Sequence, residues 1–495
     1  MTDQERFDQL IDGKWVPSSD GGTIESENPY TGRTWATVPK STKSDVEAAI
    51  SAADAAYRRG PWKDMTASDR GKCLLRLADL ILENCDRLSD AETADNGKLI
   101  VEMSTQVRYL AEWFRYFGGL ADKIEGRVLP IDKAGMFTYT RRVPLGVVAA
   151  ITPWNSPLLL ATWKLAPALA AGNTVVWKPS EFSSVSALLF GRLFAEAGFP
   201  DGAVNIVTGY GHEIGDVLVT HPKVAKVAFT GGDATGQRVY ESAAREIKEV
   251  TLELGGKSAN IVFEDADLDN AVKGVISGIF AASGQTCIAG SRALVQRSIY
   301  DAFVAKLVSF AETARIGDPA LKETQVGPIT TDAQFEKILD YVSIGKSEGA
   351  TCALGGKVAS GQNLGAGRFV EPTIFTHVSP SMRIAQEEVF GPVLAIIPFD
   401  TEDDAIEIAN GTQYGLAAGV WTSSLQRALA LPEQLEAGTV WVNTYRAVSF
   451  MAPFGGFKRS GIGRENGMEA INQYLQTRTV WIDTTGETAN PFVVR

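Results

Sequence analysis

The chain has few cysteines and histidines for its 495 residues. Its four cysteines include no CxxC pair, so a disulfide framework is not expected and the thiols should be reduced. The three histidines stand in unrelated contexts, which argues against a histidine-rich metal site. No metal is therefore predicted. The residues concerned are Cys73, Cys85, Cys287, Cys352, His212, His221 and His377.

A surplus of positive charge and long apolar runs are also missing. Lys and Arg number 47 against 59 Asp and Glu, for a formal net charge of −12, which repels phosphate backbones and anionic lipid headgroups. No stretch offers the roughly 18 uncharged apolar residues that cross a bilayer, and residues 1–14 lack the pattern of a signal peptide. We therefore expect a cytoplasmic protein that binds neither nucleic acid nor membranes.

What the chain does have is a regular alternation of strand and helix patterns. One alternating stretch runs through residues 146–263 and a second through 267 to about 442, after helical patterns near 43–58, 67–94 and 98–121. Such alternation is typical of βαβ units, in which helices cover a parallel sheet. The strand-like pattern of residues 123–143 predicts a hairpin that reaches another subunit. The predicted fold class is α/β.

One cysteine lies among small and polar residues. Cys287 stands between two glycines in the stretch ASGQTCIAG of residues 282–290. A cysteine in an apolar core is normally protonated and inert, whereas a nucleophilic cysteine needs surroundings that favour the thiolate. The stretch therefore predicts a nucleophile. The alternative is an ordinary small residue in a tight helix-to-strand connection.

Two segments after apolar strands suit a dinucleotide. Parallel sheets bind ligands beyond the carboxyl ends of their strands, and the glycines from Gly231 to Gly236 lead into a helix whose start suits a pyrophosphate. Lys178 and Glu181 suit ribose hydroxyls, and a glutamate there disfavours a 2′-phosphate. Plain solvated turns are the alternative for both segments, and a turn is the better interpretation of the GxGxxxG pattern at 209–215.

Two further residues suit acyl chemistry. Asn155 is held between Pro153 and Pro157, which suits an amide that donates to a reacting oxygen, although a rigid turn that caps the next helix is the alternative. Glu253 ends an apolar strand before a glycine pair. Because burial raises the pKa of a carboxyl group, Glu253 is a candidate general base.

Together, and in this order, these segments resemble the aldehyde dehydrogenase superfamily. Cys287 follows Glu253 by 34 residues, which is that family's spacing between its general base and its nucleophile. The segments 387–392 and 453–465 fit as well, so the resemblance covers nearly the whole chain. It implies NAD-dependent oxidation of a small aldehyde to the carboxylic acid through a thiohemiacetal and a thioester, with NADP as an alternative cofactor.

The resemblance also implies roles for individual residues. Cys287 would be the nucleophile, Glu253 the general base, and Asn155 the oxyanion donor together with the Cys287 amide. The implied cofactor contacts are Thr152, Trp154, Lys178, Glu181, Gly231, Gly232, Gly236, Leu254, Glu388 and Phe390. The implied substrate contacts are Ser156, Trp163, Thr286, Ile288, Arg446 and Phe454.

The family's architecture implies two doubly wound, Rossmann-like parallel-sheet domains and a small β element. Residues 1–122 and 144–255 would form the dinucleotide-binding domain, and 256–472 the catalytic domain. Residues 123–143 and 473–495 would form a bridging element that extends a neighbour's sheet in a homodimer or homotetramer. The role of the tail after Asp483 stays open.

Two departures from the family's pattern bear on specificity. Gly232 stands where many members have a serine beside the phosphates, so one hydroxyl contact is absent. Ser156 replaces the aromatic residue of many enzymes that act on aliphatic aldehydes, and Arg446 adds a cation. A guanidinium pairs well with a carboxylate, so a polar or anionic aldehyde such as a semialdehyde is our hypothesis. Alternatively, Arg446 faces solvent or pairs with an acidic residue.

Three other functional classes compete with this interpretation. An acylating, coenzyme A-dependent dehydrogenase would use the same cysteine, but a water-activating base such as Glu253 would waste its thioester. A papain-like hydrolase needs a histidine near the cysteine motif, and none is present. A non-catalytic relative should have lost catalytic residues, whereas Cys287, Glu253 and Asn155 are all present.

Overall fold

The structure, a computed structural model, describes residues 5–361, 364–486 and 492. Its strands form one sheet of eight strands, one of seven and three smaller sheets. The predicted α/β class agrees with this architecture. Among the described residues, no helix is both long and apolar enough to span a bilayer.

The N-terminal residues form an arm of short strands, as predicted. Asp12 and Gly13 both have positive φ (53° and 71°), which suits a tight two-residue hairpin turn. The turn at Asn28 is closed by its side chain, which accepts from the Tyr30 amide at 2.9 Å. The strands are β1 (Glu5–Arg6), β2 (Gln9–Ile11), β3 (Lys14–Val16), β4 (Thr23–Asn28) and β5 (Arg33–Pro39).

Five helices follow the arm. Thr42 and Asp45 form a capping box at the start of α1. The predicted helix 67–94 is two helices, because Asn84 leaves helical geometry (φ −108°, ψ 12°) and its side chain bonds the Leu80 carbonyl. The helices are α1 (Lys43–Arg58), α2 (Pro61–Asp64), α3 (Ala67–Glu83), α4 (Cys85–Asn96) and α5 (Ile100–Leu120).

The eight-stranded sheet is doubly wound around five parallel strands. Its strands are β8 (Val147–Ile151), β9 (Thr174–Lys178), β10 (Val204–Ile206), β11 (Val224–Thr230) and β12 (Glu249–Glu253), and the connecting helices are α6 (Pro157–Ala171), α7 (Val185–Glu196), α8 (Gly211–Thr220) and α9 (Asp233–Arg245). The spatial order is β12-β11-β8-β9-β10. The order therefore reverses between β8 and β11, where such sheets bind ligands beyond the carboxyl ends.

The seven-stranded sheet has six parallel strands and one antiparallel edge strand, β15. Its strands are β13 (Ala259–Val262), β14 (Arg292–Gln296), β15 (Thr351–Leu354), β16 (Thr373–Thr376), β17 (Val393–Phe399), β19 (Ala417–Trp421) and β20 (Thr439–Val442), and its helices are α10 (Leu268–Phe280), α11 (Tyr300–Ala311), α12 (Asp332–Ser347), α13 (Arg383–Gln386), α14 (Glu402–Asn410) and α15 (Leu425–Ala430). The order is β15-β16-β17-β14-β13-β19-β20. The second predicted parallel sheet is therefore present.

A three-stranded antiparallel sheet stands beside the two large ones. It consists of β6 (Val128–Leu129), β7 (Met136–Pro144) and β23 (Leu475–Asp483), and β7 pairs with β23 over nine residue pairs. The predicted hairpin and final strand thus form one element, although residues 487–491 and 493–495 of its predicted range lie outside the described residues.

Short strands connect these sheets. β18 (Tyr414–Gly415) pairs with β21 (Phe457–Lys458), and β22 (Gly461–Ile462) pairs with β12 of the eight-stranded sheet. β22 belongs to the predicted catalytic segment 256–472, yet its two residues form an edge strand of the eight-stranded sheet. The division into functional domains stays a prediction.

Candidate active site

The candidate site lies where the eight-stranded sheet reverses its order. The loops after β8, β9, β11 and β12 all leave the same edge of the sheet, since these strands are parallel. The Gly231 amide donates to the Glu253 carbonyl at 3.0 Å, so the glycine loop and the carboxylate segment are tied together. The predicted Asn155, Lys178 and Glu253 thus meet at one edge.

The loop that leads to Cys287 has left-handed backbone geometry. Ala282, Ser283 and Gly284 have φ values of 53°, 53° and 71°, and the first two cost roughly 1–2 kcal/mol each because they are not glycine. Surrounding contacts hold this geometry: the Ala282 amide donates to Glu102 Oε1 at 3.1 Å, and Ser283 Oγ donates to the Gly327 carbonyl at 2.8 Å. The cysteine therefore follows a fixed, strained loop.

Asn155 lies directly against this loop. Its Nδ2 donates to the Gln285 carbonyl at 2.9 Å, and Gln285 Oε1 accepts from the Thr330 amide at 3.0 Å. A side-chain amide carries two N–H groups, so the second N–H of Asn155 remains for another acceptor. The predicted amide donor and the cysteine loop are thus brought together.

The surroundings of Cys287 favour the thiol. Burial and the negative charges of Glu388 and Glu253 together raise the pKa of Cys287 to about 12, and Lys98 opposes this rise. The expectation that small, polar neighbours would favour the thiolate is therefore wrong for the free enzyme. Both carboxylates reach the cysteine through tertiary structure, which the local composition does not reveal.

Glu253 is a buried carboxylate with neither oxygen hydrogen-bonded. Burial and the neighbouring Glu465 raise its pKa well above the ordinary value, while Lys164 and Arg464 oppose this. Behind it, Lys164 Nζ donates to Glu465 and, at 2.6 Å, to Thr230 Oγ1. The predicted general base thus has the raised pKa that the sequence suggested.

A cleft of about 690 Å³ opens beyond β8, β9 and β11. Lys178 is buried, and its Nζ lies 3.6 Å from Glu181 Oε2; burial lowers the pKa of Lys178 and Glu181 opposes the change. A Cβ at Gly232 would meet no atom within 4 Å, so the loop before α9 leaves open space. Predicted cofactor residues in its wall are Thr152, Trp154, Lys178, Glu181, Gly231 and Gly232.

A smaller cleft of about 160 Å³ shares the glycine loop and ends at the cysteine. Glu388 Oε1 accepts from the Gly256 amide at 2.9 Å, and burial raises the pKa of Glu388 to about 7. The Trp154 and Phe390 rings meet edge to face at 5.4 Å. Its wall includes Trp154, Asn155, Gly231, Gly232, Leu254, Cys287, Glu388 and Phe390.

Two features differ from the expected cofactor site. A Cβ at Gly236 would lie 2.3 Å from Leu254 Cδ2, so Gly236 serves close packing of α9 and does not line either cleft. Asp233 places a carboxylate at the start of α9, where its oxygens accept from the Ala234 amide at 2.9 Å and from the Tyr414 hydroxyl at 3.2 Å. This acid was not predicted.

The predicted substrate residues are only partly grouped. The Trp163 and Phe454 rings pack at 5.0 Å, and both are buried. Ile288 is buried in the hydrophobic core, and its carbonyl accepts from the Tyr445 hydroxyl at 3.1 Å. Thr286 is half-buried beside the cysteine.

Ser156 and Arg446 are both engaged within the protein. The buried Lys98 donates from Nζ to Ser156 Oγ at 2.7 Å, and burial lowers the pKa of Lys98 to about 8. Arg446 is half-buried at positive φ (66°), and its Nη1 donates to the Ser277 carbonyl at 3.4 Å. Among the described residues, no carboxylate lies within ion-pair distance of Arg446.

Comparison with known proteins identifies the family. The family model described as "Aldehyde dehydrogenase family" matches residues 15–480, a span that contains both clefts and the cysteine loop. The chain belongs to the aldehyde dehydrogenase family. The resemblance predicted from the motifs and the predicted enzyme class are therefore confirmed.

Similar proteins cover nearly all of this aldehyde dehydrogenase. The (Z)-2-((N-methylformamido)methylene)-5-hydroxybutyrolactone dehydrogenase of Acinetobacter baylyi is 46% identical over 99% of this chain and 100% of that protein. The NAD+ complex of an aldehyde dehydrogenase from Bacillus cereus is 44% identical with a TM-score of 0.94, over 97% of each chain. A betaine aldehyde dehydrogenase from Staphylococcus aureus, in complex with NAD+, is 41% identical with a TM-score of 0.97, over 98% of this chain and 97% of that one.

Several residues of this aldehyde dehydrogenase site were missed from the sequence. Gln334 and Lys337 of α12 line the smaller cleft, and Gln334 Nε2 donates to the Val389 and Phe390 carbonyls. Lys98 lies just before α5, and Glu102 lies in the first turn of that helix. These residues carry no motif, because their place in the site depends on how distant elements pack.

Proposed function

We propose that this aldehyde dehydrogenase oxidises an aldehyde to its carboxylic acid with NAD as the electron acceptor, through a thiohemiacetal and a thioester on Cys287. The observation that carries the proposal is the common cleft. Cys287, Asn155 and Glu388 share one wall, and that cleft is continuous through Gly231 and Gly232 with the larger one.

The larger cleft fits an adenine dinucleotide. The buried Lys178 ammonium and the Glu181 carboxylate suit ribose hydroxyls, and the open space at Gly232 admits a pyrophosphate close to the start of α9. Glu181 disfavours a 2′-phosphate, so NAD is preferred over NADP. The solved relatives from Bacillus cereus and Staphylococcus aureus are both NAD+ complexes.

The first step is addition of the Cys287 sulfur to the aldehyde carbonyl carbon. The high pKa of the free thiol means that it must give its proton to a base as the carbon–sulfur bond forms. The carbonyl oxygen becomes an oxyanion, which accepts from the second N–H of Asn155 and from the Cys287 amide. Each such donor contributes roughly 3–4 kcal/mol to the transition state.

Collapse of the oxyanion expels a hydride and leaves a thioester on Cys287. The nicotinamide ring, when bound, accepts that hydride. Glu253 then takes a proton from water, whose oxygen attacks the thioester carbon, and the cysteine sulfur leaves as the carboxylic acid is released. A buried carboxyl with a raised pKa suits this step, because its ionised form is a stronger base than an exposed carboxylate.

The aldehyde in this proposal is polar or anionic. Arg446 has no carboxylate partner among the described residues. The buried ammonium of Lys98 donates to Ser156, the residue that follows Asn155. Arg446→Ala should therefore lower kcat/KM more for a semialdehyde than for a neutral aldehyde of the same length. Equal losses on both substrates would refute charge pairing and leave the oxidation mechanism untouched.

A homodimer or homotetramer is also part of the proposal. The three-stranded sheet exposes apolar side chains, namely Val128, Met136, Phe137, Trp481 and Ile482, and exposed apolar patches of this kind mark interfaces. Light scattering on the purified protein should give a mass of two or four chains. A monomer of 53.1 kDa would contradict this part.

The activity itself is tested by NADH absorbance. The wild type with an aldehyde and NAD should form NADH, and Cys287→Ala should form none while still binding NAD. Adding coenzyme A should not increase the rate, since Glu253 directs the thioester to water. A rate that depends on coenzyme A would favour the acylating alternative, and inactivity of the wild type on a broad aldehyde panel would favour the non-catalytic one.

A further inference from the structure

A buried ammonium lies beside the candidate active site without an acidic partner. Lys98 follows Gly97, which ends α4 with a left-handed φ of 74°, and the Lys98 amide donates to Asn96 Oδ1 at 2.9 Å. The side chain is only 5% exposed, and its Nζ donates to Ser156 Oγ at 2.7 Å. Among the described residues, no carboxylate lies within ion-pair distance of this ammonium. A buried charge on a neutral hydroxyl is costly, so its presence points to a role in the site.

The helices on either side of this lysine hold both segments that supply the proposed oxyanion donors. Glu92 of α4 accepts from the Leu158 amide at 2.9 Å, at the start of α6. Glu102 of α5 accepts from the Ala282 amide at 3.1 Å, in the loop that leads to the nucleophile. Lys98 lies in the connection between α4 and α5, and it is therefore fixed between the two segments.

A path of hydrogen bonds connects Lys98 with the cysteine loop. Ser156 stands at the N-cap of α6, but its side chain does not cap that helix, although serine is a preferred capping residue. Its hydroxyl instead accepts from Lys98. The preceding residue, Asn155, donates from Nδ2 to the Gln285 carbonyl at 2.9 Å. The ammonium therefore restrains the turn in which Asn155 lies.

The same ammonium places a positive charge near the nucleophile. Lys98 opposes the rise in the pKa of Cys287 that burial, Glu388 and Glu253 cause. Burial lowers the pKa of Lys98 itself to about 8, and nearby acids limit this decrease, so the side chain is mainly charged at neutral pH. The charged and titratable groups that face Lys98 are Glu92 of α4, Glu102 of α5, Arg446 of the loop after β20, and Cys287.

We propose that Lys98 is a positioning residue: it holds Asn155 in place through Ser156, and its charge offsets the carboxylates that act on the Cys287 sulfur. This role rests on the proposed function, since it assumes that Asn155 and Cys287 carry the reaction. Both effects act at the same step, because the carbonyl oxygen becomes an oxyanion as the carbon–sulfur bond forms. Neither effect requires Lys98 to touch the substrate.

The effect of the charge is tested by alkylation of Cys287 with iodoacetamide, an uncharged reagent, at one fixed pH. Lys98→Met removes the charge, and since a nearby opposite charge lowers a pKa by roughly one unit or more, the alkylation rate should fall about tenfold. The matched control is Lys226→Met. It removes another buried ammonium, near the start of β11, whereas the glycine loop follows the end of that strand, and it should leave the rate unchanged. An unchanged rate in Lys98→Met, or the same decrease in Lys226→Met, would overturn this role of the charge.

The effect on position is tested by Ser156→Ala, which removes the hydrogen bond and keeps the ammonium. The kcat for NADH formation should fall roughly tenfold, less than the loss of about 10²-fold for a displacement of about 1 Å, while the alkylation rate stays near that of the wild type. In Asn155→Ala the same substitution should cause no further loss of kcat, because the effects of residues that act through one another do not add. A further loss of the same size in that background would overturn the positioning role.

The two readouts separate this role from the oxidation itself. Alkylation needs neither aldehyde nor NAD, so it reports on Lys98 without turnover. Absence of NADH formation by the wild type would overturn the oxidation. Normal turnover of the wild type, with wild-type alkylation in Lys98→Met and wild-type kcat in Ser156→Ala, would overturn the role of Lys98 alone. Ser156→Ala tests the positioning role even where Lys98→Met does not fold, because it leaves the lysine in place.

Discussion

Substitution of Gly284 by alanine tests whether the strained loop sets the position of Cys287. A Cβ at Gly284 would lie 2.1 Å from the Gly391 carbonyl oxygen and 2.2 Å from its carbon, so the backbone must move by about 1 Å to reach an ordinary contact. The positive φ of 71° adds roughly 1–2 kcal/mol for alanine. Because misplacement by about 1 Å costs on the order of 10²-fold in rate, kcat should fall by about that factor.

The assay combines steady-state NADH formation with thermal unfolding. Gly284→Ala should lower both kcat and Tm. The matched control is Gly119→Ala in α5, where a Cβ would meet no atom within 4 Å, and alanine in a helix should stabilise by about 0.5–1 kcal/mol. Wild-type kcat in Gly284→Ala would refute the claim that the loop geometry positions the cysteine.

Three further predictions concern the site. Asn155→Ala should lower kcat by about 10²–10³-fold with little change in Tm, and an unchanged kcat would exclude Asn155 as the oxyanion donor. Alkylation of Cys287 in the free enzyme, followed by peptide mass, should rise about tenfold per pH unit from pH 7 to 9, since its pKa lies near 12; a plateau below pH 9 would contradict the assigned pKa direction. Asp233→Ser should lower the Kd for NAD, measured by fluorescence titration, because it removes a negative charge from the start of α9, next to the proposed pyrophosphate loop at Gly231 and Gly232.

The sequence predicted those parts of the site that lie at strand ends. Lys178 and Glu253 each end a strand and Asn155 follows one, and parallel pairing alone brings such positions to one edge. The cysteine loop was also predicted, because its small and polar residues distinguish Cys287 from a cysteine in an apolar core. The strand order, and therefore the side on which the two clefts join, was not predicted.

The electrostatics of the site could not be predicted, because they depend on distant pairs. Glu388 reaches Gly256 across 132 residues, and Lys164 reaches Glu465 across 301. Burial and the charges of Glu388 and Glu253 raise the pKa of Cys287, so the composition of residues 282–290 predicted the wrong direction. The hydrogen bond from Lys98 to Ser156 is a similar case, because the loop before α5 meets the start of α6 only in the folded chain.

Mass spectrometry of Glu253→Gln, after mixing with an aldehyde and NAD, tests whether oxidation passes through a thioester on Cys287. Glutamine cannot take a proton from water, so the thioester should accumulate. One equivalent of NADH per site should form, with a mass increase equal to one acyl group on the peptide that contains Cys287. NADH formation without any acyl adduct on Cys287, or the same turnover in Cys287→Ala, would contradict the thioester mechanism.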